Sequence, residues 1–187
     1  MQFLTIDDYS IPYVVYRRKL KAYRLEFDKS TLKVILPLKA DENHVINKHR
    51  RWIKNSYKKI NDIINGGKKL NNCTGSKEHL YIELKNISSR IEEELRVKSK
   101  GIKIKKMRSQ WGSISTNGII NINEYTKYLP EKCKEYIVFH ELLHLKYRGH
   151  GKSFKERIEK KYPKAKKIEK ELFKYWILIQ NGVLNCN

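Results

Sequence analysis

The alternation of hydrophobic and polar residues predicts a sheet and two helices in the first half of the chain. Between residues 2 and 38, short β-branched and aromatic runs are separated by turn-prone residues, which predicts an antiparallel β segment. From Asp41 to about Ile64, apolar residues recur at helical spacing, so a helix packs one face against that sheet. A second helix is predicted from Leu80 to about Lys98, with its apolar stripe in the core.

The composition between these two helices predicts a boundary. Residues 66–79 are rich in Gly, Asn, Lys and Ser, which is typical of a connecting segment. We therefore predict a β-sheet plus helix in residues 1–65, a linker in 66–79, and the functional core in 80–187. One continuous domain is the alternative, because 187 residues are within the range of a single fold.

A second group of strands is predicted after the boundary. Residues Ile102–Lys105 alternate between apolar and basic side chains, as a half-buried strand does. Two further runs, Trp111–Ser115 and Gly118–Asn123, are joined by Thr116-Asn117-Gly118, and Asn-Gly is a strong hairpin signal. These runs predict a three-stranded antiparallel sheet directly before the next helix.

That next helix is predicted from about Pro130 to Lys146 and is apolar on nearly every side. A helix of this kind is buried, and buried polar side chains need partners. It nevertheless contains His140, Glu141 and His144. Metal ligation explains such a set. Two more helices, 153–161 and 164–179, are predicted to complete the core.

The spacing of these polar residues predicts a metal centre. Two histidines four residues apart lie one turn from each other on the same helix face, so both imidazoles can bind one ion. A catalytic zinc site has three protein ligands and one open position. His150, between two glycines, is the predicted third ligand, and Glu141 is the predicted base for water activated by the metal.

Two other known ligand arrangements share the two histidines of this motif but differ in the third ligand or its surroundings. Metzincin peptidases also place a third histidine six residues after the second, but Tyr147 stands where they have glycine. Their downstream methionine is also missing, since Met1 and Met107 both precede the motif. A gluzincin arrangement takes a downstream glutamate as the third ligand, and it remains the alternative to His150. Its candidates are Glu156, Glu159 and Glu169.

Two stretches carry a resemblance to a known family. Trp111-Gly112-Ser113, and the run from His140 to Phe154, resemble the YgjP-like (DUF45, WLM/SprT-related) zincin metallopeptidases. The chain departs from that pattern at Gln110, Ile114 and Lys155, where the family usually has arginine, cysteine and an aromatic residue.

The resemblance implies an α+β fold, specifically a zincin-like catalytic domain whose antiparallel sheet packs on a buried HExxH helix. It also implies one Zn2+ per chain on His140, His144 and His150, with Glu141 as the catalytic base.

Charge adds a second expectation. The chain has 41 Lys and Arg against 20 Asp and Glu, a net charge of +21, and such a field attracts polyanions, nucleic acid above all. A solvated basic surface without a dedicated partner is the alternative.

No apolar run is long enough to span a membrane. Residues 1–10 have no apolar signal core, and we expect Cys73, Cys133 and Cys186 to be free thiols, so a cytoplasmic location is predicted.

Three functions follow from these observations. The first is a zinc-dependent metallohydrolase that cleaves peptide bonds in a protein or peptide substrate. The second is a metal-dependent hydrolase of a phosphorylated substrate such as a nucleoside triphosphate, which the positive charge favours. The third is a basic nucleic-acid-associated protein with a structural metal site. An open coordination position beside Glu141 favours the first two.

Overall fold

The computed structural model describes residues 1–67 and 76–184 and contains helices and strands in two compact units. Of the described residues, 1–67 and 180–183 belong to the first unit, and 76–179 with Leu184 belong to the second. The predicted linker, 66–79, lies mostly outside the described residues, as do Cys73 and Cys186. Its first two residues end one helix, and its last four cap and begin another.

The sheet of the first unit has four strands in a mixed arrangement. The strands are β1 (Gln2–Ile6), β2 (Tyr9–Arg18), β3 (Arg24–Asp28) and β4 (Thr31–Pro37), in the order β1-β2-β4-β3. The predicted hairpin between β3 and β4 is present, but β2 and β4 are parallel, so the prediction of a purely antiparallel segment was wrong. β4 is the most buried strand of this sheet and takes an inner place between β2 and β3.

Two helices cover this sheet where one was predicted. Asp41 caps α1 (Glu42–Lys48) as expected, because its carboxylate accepts a hydrogen bond from the Asn43 backbone N–H at 2.9 Å. The chain leaves helical geometry at His49, and α2 (Arg50–Gly67) follows. At this break, Nε2 of His49 is hydrogen-bonded to the Tyr23 hydroxyl at 2.9 Å. The core between sheet and helices consists of Ile6, Ile11, Leu32, Val34, Leu36, Val45, Ile46 and Ile53.

The second unit begins with α3 (Lys77–Leu95) and a small sheet. Its strands are β5 (Ile102–Lys105), β6 (Gly112–Ile114) and β7 (Ile120–Asn123), in the order β5-β7-β6. β6 and β7 form the predicted antiparallel hairpin, but β5 pairs with β7 in parallel, which corrects the prediction of an antiparallel sheet.

The side chain of Asn123 explains how the chain crosses from one edge of this sheet to the other. Its amide nitrogen donates to the carbonyl oxygens of Met107 and Gln110 at 2.9 and 2.8 Å. Asn123 is fully buried, so these bonds fix the crossing loop over the end of β7. The loop therefore returns the chain to the far side of β7 before β6 begins.

Three helices complete the second unit after a short 3-10 helix at Glu124–Tyr128. They are α4 (Glu131–Leu143), α5 (Lys152–Lys161) and α6 (Ala165–Gln180). Lys134 on α4 is buried and donates to both carboxylate oxygens of Glu83 on α3, at 2.8 and 2.6 Å, which ties the two helices together. At the preceding position of α4, the thiol of Cys133 is free and buried, and burial raises its pKa to about 12. Among the described residues, no helix has the length and apolar character needed to cross a bilayer.

A buried carboxylate holds the end of α3. Burial alone raises the pKa of Glu92, but hydrogen bonds from the Ser99 hydroxyl, Lys98 and the Ser88 hydroxyl outweigh it, so its pKa is lowered. A carboxyl whose folded-state pKa is lowered stabilises the protein above its unfolded-state pKa, and that contribution is lost as pH falls through the folded value.

The variant Glu92→Gln is expected to lose about 1.5–3 kcal/mol of unfolding free energy at neutral pH, the range for hydrogen bonds to a charged group. The difference from wild type should shrink as pH is lowered past the folded pKa of Glu92, because the wild-type carboxylate then becomes protonated. Urea unfolding at a series of pH values measures this difference. The exposed Glu93→Gln variant is the control, and a difference that does not change with pH would contradict the assignment.

Candidate metal centre

The apolar side chains of α4 are packed in the core, and this packing sets the positions of His140, within the helix, and His144, at its end. Ile137, Val138, Phe139, Leu142 and Leu143 are all buried, as the sequence predicted. Leu145, which the apolar pattern also placed on the buried helix, lies beyond its end and is exposed. The helix ends at Leu143, three residues before the predicted end at Lys146. His144 is its C-cap and still has right-handed helical dihedral angles, so it lies one turn beyond His140 on the same face.

The chain turns after α4 and brings His150 back to the helix. The Nε2 atoms of His150 and His140 are 2.9 Å apart. One nitrogen from each of His140, His144 and His150 lies within 4.8 Å of the other two. In the part of the chain that the structure describes, these three are the group of potential ligands that converges. The predicted alternative ligands Glu156, Glu159 and Glu169 do not belong to it.

A phenylalanine on α5 contacts all three imidazoles. The ring centroid of Phe154 lies 5.0, 4.8 and 4.8 Å from those of His140, His144 and His150. It stacks on His144 and meets the other two edge-on. The sequence placed Phe154 at the end of the run that resembles the family; the structure adds that its ring packs against all three imidazoles and so restricts their orientation.

A hydrogen bond to a backbone carbonyl sets the tautomer of His144. Its Nδ1 lies 3.0 Å from the carbonyl oxygen of Tyr147, and because a carbonyl only accepts, Nδ1 carries the hydrogen. Nε2 of His144 is then left with its lone pair. Metal-binding histidines are oriented by outer contacts of this kind.

The cluster fits a divalent metal ion by the chemistry of its donors. Burial, together with the neighbouring His144 and His150, lowers the pKa of His140 to about 4, so its imidazole is neutral at neutral pH. Neutral imidazole is the form that binds metal, and three such nitrogens suit zinc and similar transition metals.

Glu141 is a buried residue of α4 whose side chain faces β6. Burial raises the pKa of its carboxyl to about 7, and a hydrogen bond from the Ile114 backbone N–H partly opposes this shift. Gly112 passes directly beneath it: a Cβ at Gly112 would stand 2.9 Å from Glu141 Cγ and 3.1 Å from its Oε1. The glycine of the Trp-Gly-Ser stretch therefore makes room for the acidic side chain.

An open cleft of about 1080 Å³ exposes the cluster and Glu141. One wall is the β6 strand with its neighbours, from Gln110 to Thr116, and other parts come from α4, α6 and the turn before His150. Tyr136, one turn before His140, and Glu169 on α6 both line the cleft, and the Tyr136 hydroxyl donates a hydrogen bond to the Glu169 carboxylate at 2.7 Å. Trp111, which meets Trp176 edge-on, adds apolar surface.

Ser113 and Arg148, two polar residues near the metal-binding motif in the sequence, line the cleft, whereas Asn121 and Asn123 are not among its lining residues. Asn121 faces Ser113 at 3.5 Å, and Asn123 holds the crossing loop. The sequence missed Tyr136 because a tyrosine on a buried helix face has the same pattern as any core aromatic residue.

Comparisons with solved structures and with protein-family models relate this chain to known metallopeptidases. The chain resembles two crystallised metallopeptidase zymogens, abylysin of Pyrococcus abyssi and jannalysin of Methanocaldococcus jannaschii, each 26% identical with a TM-score of 0.45. The matches cover 48% and 49% of this chain, and 90% and 88% of those chains. No curated protein matches it. The model of the YgjP-like metallopeptidase domain matches residues 68–175, more than half of the chain, and the protein therefore belongs to the YgjP-like metallopeptidase family.

Proposed function

We propose that this protein is a zinc-dependent peptidase that hydrolyses peptide bonds in protein or peptide substrates, as a zincin-like catalytic unit. The observation that carries the proposal is the convergence of three imidazole nitrogens within 4.8 Å beside a buried glutamate, in an open cleft. Membership of a metallopeptidase family supports it.

His140, His144 and His150 would hold the zinc ion. When bound to three neutral imidazoles, zinc lowers the pKa of a water molecule towards neutrality and polarises a carbonyl group. The hydrogen bond from His144 to the Tyr147 carbonyl keeps one ligand nitrogen free of its proton, and Phe154 holds the rings in place.

Glu141 would move the proton. It is the buried carboxyl beside the cluster, and it lines the same cleft. In the proposed reaction its carboxylate takes a proton from the attacking water and returns it to the nitrogen of the leaving amine. The Ile114 N–H and the space above Gly112 position the carboxylate for both transfers.

The edge of β6 would bind the substrate backbone. In the described sheet β6 pairs with β7 on one side only, and its residues line the cleft. An extended peptide can add to such an edge through main-chain hydrogen bonds. A phosphorylated substrate is the second candidate, but Arg148 is the one Lys or Arg among the described lining residues, and a triphosphate calls for more positive charge than this.

Metal removal tests the proposal. Protein purified without chelator is expected to contain one zinc ion per chain and to cleave an unfolded protein or a peptide library. A zinc chelator should abolish cleavage, and added Zn2+ should restore it. Elemental analysis and mass spectrometry of the products measure both results. Hydrolysis of nucleoside triphosphates with no peptide cleavage would support the second candidate, and tight zinc with neither activity would support a structural metal site.

A methyl group at residue 112 is expected to displace the base. In Gly112→Ala the new Cβ meets Glu141, whose side chain must move, and a displacement of about 1 Å costs on the order of 100-fold in rate. The zinc content should stay unchanged, because no ligand is touched. Steady-state peptide cleavage and metal analysis measure the two effects. Gly66→Ala is the control, since an added Cβ there meets nothing within 4 Å. Full activity of Gly112→Ala would contradict this role for the glycine.

A further inference from the structure

A continuous basic segment precedes the strand at the cleft. Residues 96–108, called the basic segment below, contain seven Lys and Arg and no Asp or Glu. Lys98 and Lys106 lie 3.1 and 3.8 Å from Glu92 and Glu124. The other five are exposed and form no ion pair with any residue that the structure describes. They are Arg96, Lys100, Lys103, Lys105 and Arg108.

The strand β5 directs the lysines of this segment to one face. Its isoleucines, Ile102 and Ile104, are half-buried, and α3 packs against the strand. Lys103 and Lys105 alternate with them and are exposed. Since side chains two residues apart in a strand point the same way, both lysines project from the same side of the sheet. β5 is also an edge of the described sheet, so this side is open at its margin.

The cations of the segment are close enough for their fields to add. Lys103 and Lys105 are separated by about 6.6 Å along the strand. This backbone spacing is less than the Debye length of about 8 Å at physiological ionic strength, so salt screens the two positions from each other only in part. The flanking Lys100 and Arg108 extend the positive field along the chain in both directions.

The side chains exposed on the basic segment favour one class of partner. None of the exposed large hydrophobic residues among those described lies between 96 and 108, so the segment lacks the apolar face of a membrane-surface helix and the apolar centre of a protein interface. Exposed cations without acidic partners fit a phosphate backbone. We propose that the basic segment is a docking surface for nucleic acid, bound through its phosphates and without sequence preference.

This surface adjoins the cleft at the β6–β7 turn. A Cβ built on Gly118 in that turn would lie 3.8 Å from Cγ of Lys100 and 3.9 Å from Cδ2 of Leu145. Leu145 lines the cleft beside the metal centre. A nucleic acid docked at Lys100 would therefore run past one end of the cleft. The docking itself involves no metal ligand, so it stands independently of the proposed peptidase activity.

The test compares two full-length variants with equal changes in charge. One carries Lys100→Gln, Lys103→Gln, Lys105→Gln and Arg108→Gln. The control carries Lys160→Gln, Lys166→Gln, Lys167→Gln and Lys170→Gln, which are exposed lysines of α5 and α6. Fluorescence anisotropy with a labelled single-stranded DNA and a labelled duplex, over roughly 50–200 mM salt, gives the affinity and its salt dependence.

Wild-type protein is expected to bind both DNAs. The basic-segment variant should bind at least tenfold more weakly, and the slope of log affinity against log salt should fall by about 3, since each lost phosphate contact removes about 0.7–0.9. The control should change less than threefold. Equal losses in both variants would reduce the effect to net charge and overturn the proposal, as would unchanged binding in the basic-segment variant.

Two further measurements keep the test decisive. If the fourfold variant does not fold, Lys103→Gln with Lys105→Gln is compared with Lys166→Gln with Lys167→Gln, and Lys100→Arg, Lys103→Arg and Lys105→Arg together should bind like wild type. Vesicles of anionic phospholipid and polyglutamate are tested in parallel. Binding of either as strongly as DNA through the same residues would overturn the choice of nucleic acid.

Discussion

Replacing Glu141 with glutamine is expected to lower kcat for peptide cleavage by about 100- to 10,000-fold, the contribution of a positioned acid–base group. Glutamine has nearly the same shape, so the contact with Gly112 is kept, but it cannot take up a proton. The zinc content should stay at that of the wild type, because Glu141 is outside the cluster of converging ligands.

The experiment measures kcat, KM and metal content on the same preparations. Glu93→Gln is the matched control, since Glu93 is an exposed glutamate of α3 that does not line the cleft. Loss of zinc together with activity would give Glu141 a structural role in the metal site. Undiminished activity with zinc present would show that another group moves the proton.

The second large effect is expected at His150. His150→Ala leaves two imidazoles, whereas a catalytic zinc site uses three protein ligands. We expect zinc affinity to fall by more than the 10- to 100-fold that loss of an outer contact costs, and activity to fall with it. Competition with a chromophoric chelator measures the affinity. His44→Ala, an exposed histidine on α1, is the control.

The outcome also decides between His150 and a glutamate as third ligand. Tight zinc in His150→Ala would favour a downstream glutamate, and Glu169 is the one of the three candidates that lines the cleft. In that case Glu169→Gln should release the metal. In the described structure Glu169 instead accepts the hydrogen bond from Tyr136.

The sequence predicted which residues would lie together at the centre because helical spacing is a local property. His140, Glu141 and His144 follow from the geometry of one buried helix, and the glycines on either side of His150 indicated a turn. Gly112 could have been identified from the Trp-Gly-Ser stretch, where glycine interrupts a strand. Tyr147 and Phe154 contact His144 only because of the path that the chain takes after α4, and the spacing of apolar residues does not predict that path.

Strand pairing was predicted less well, for a related reason. Alternation in Ile102–Lys105 shows that a strand has one buried face, but not which neighbour it pairs with. The parallel pairing of β5 with β7 depends on the loop that Asn123 holds through two buried hydrogen bonds. Likewise, the break at His49 interrupts an apolar pattern that continues through both α1 and α2.

The buried thiol of Cys133 allows the rate at which α4 opens to be measured by chemical labelling. Only a thiolate reacts with alkylating reagents, and a thiol buried with a pKa of about 12 supplies almost none while the helix is packed. With Cys73→Ser and Cys186→Ser in place, every alkylation event therefore reports a transient opening of α4. Cys133 precedes His140 by two turns, so the labelling rate measures how often the helix that carries the metal centre opens in the otherwise folded protein.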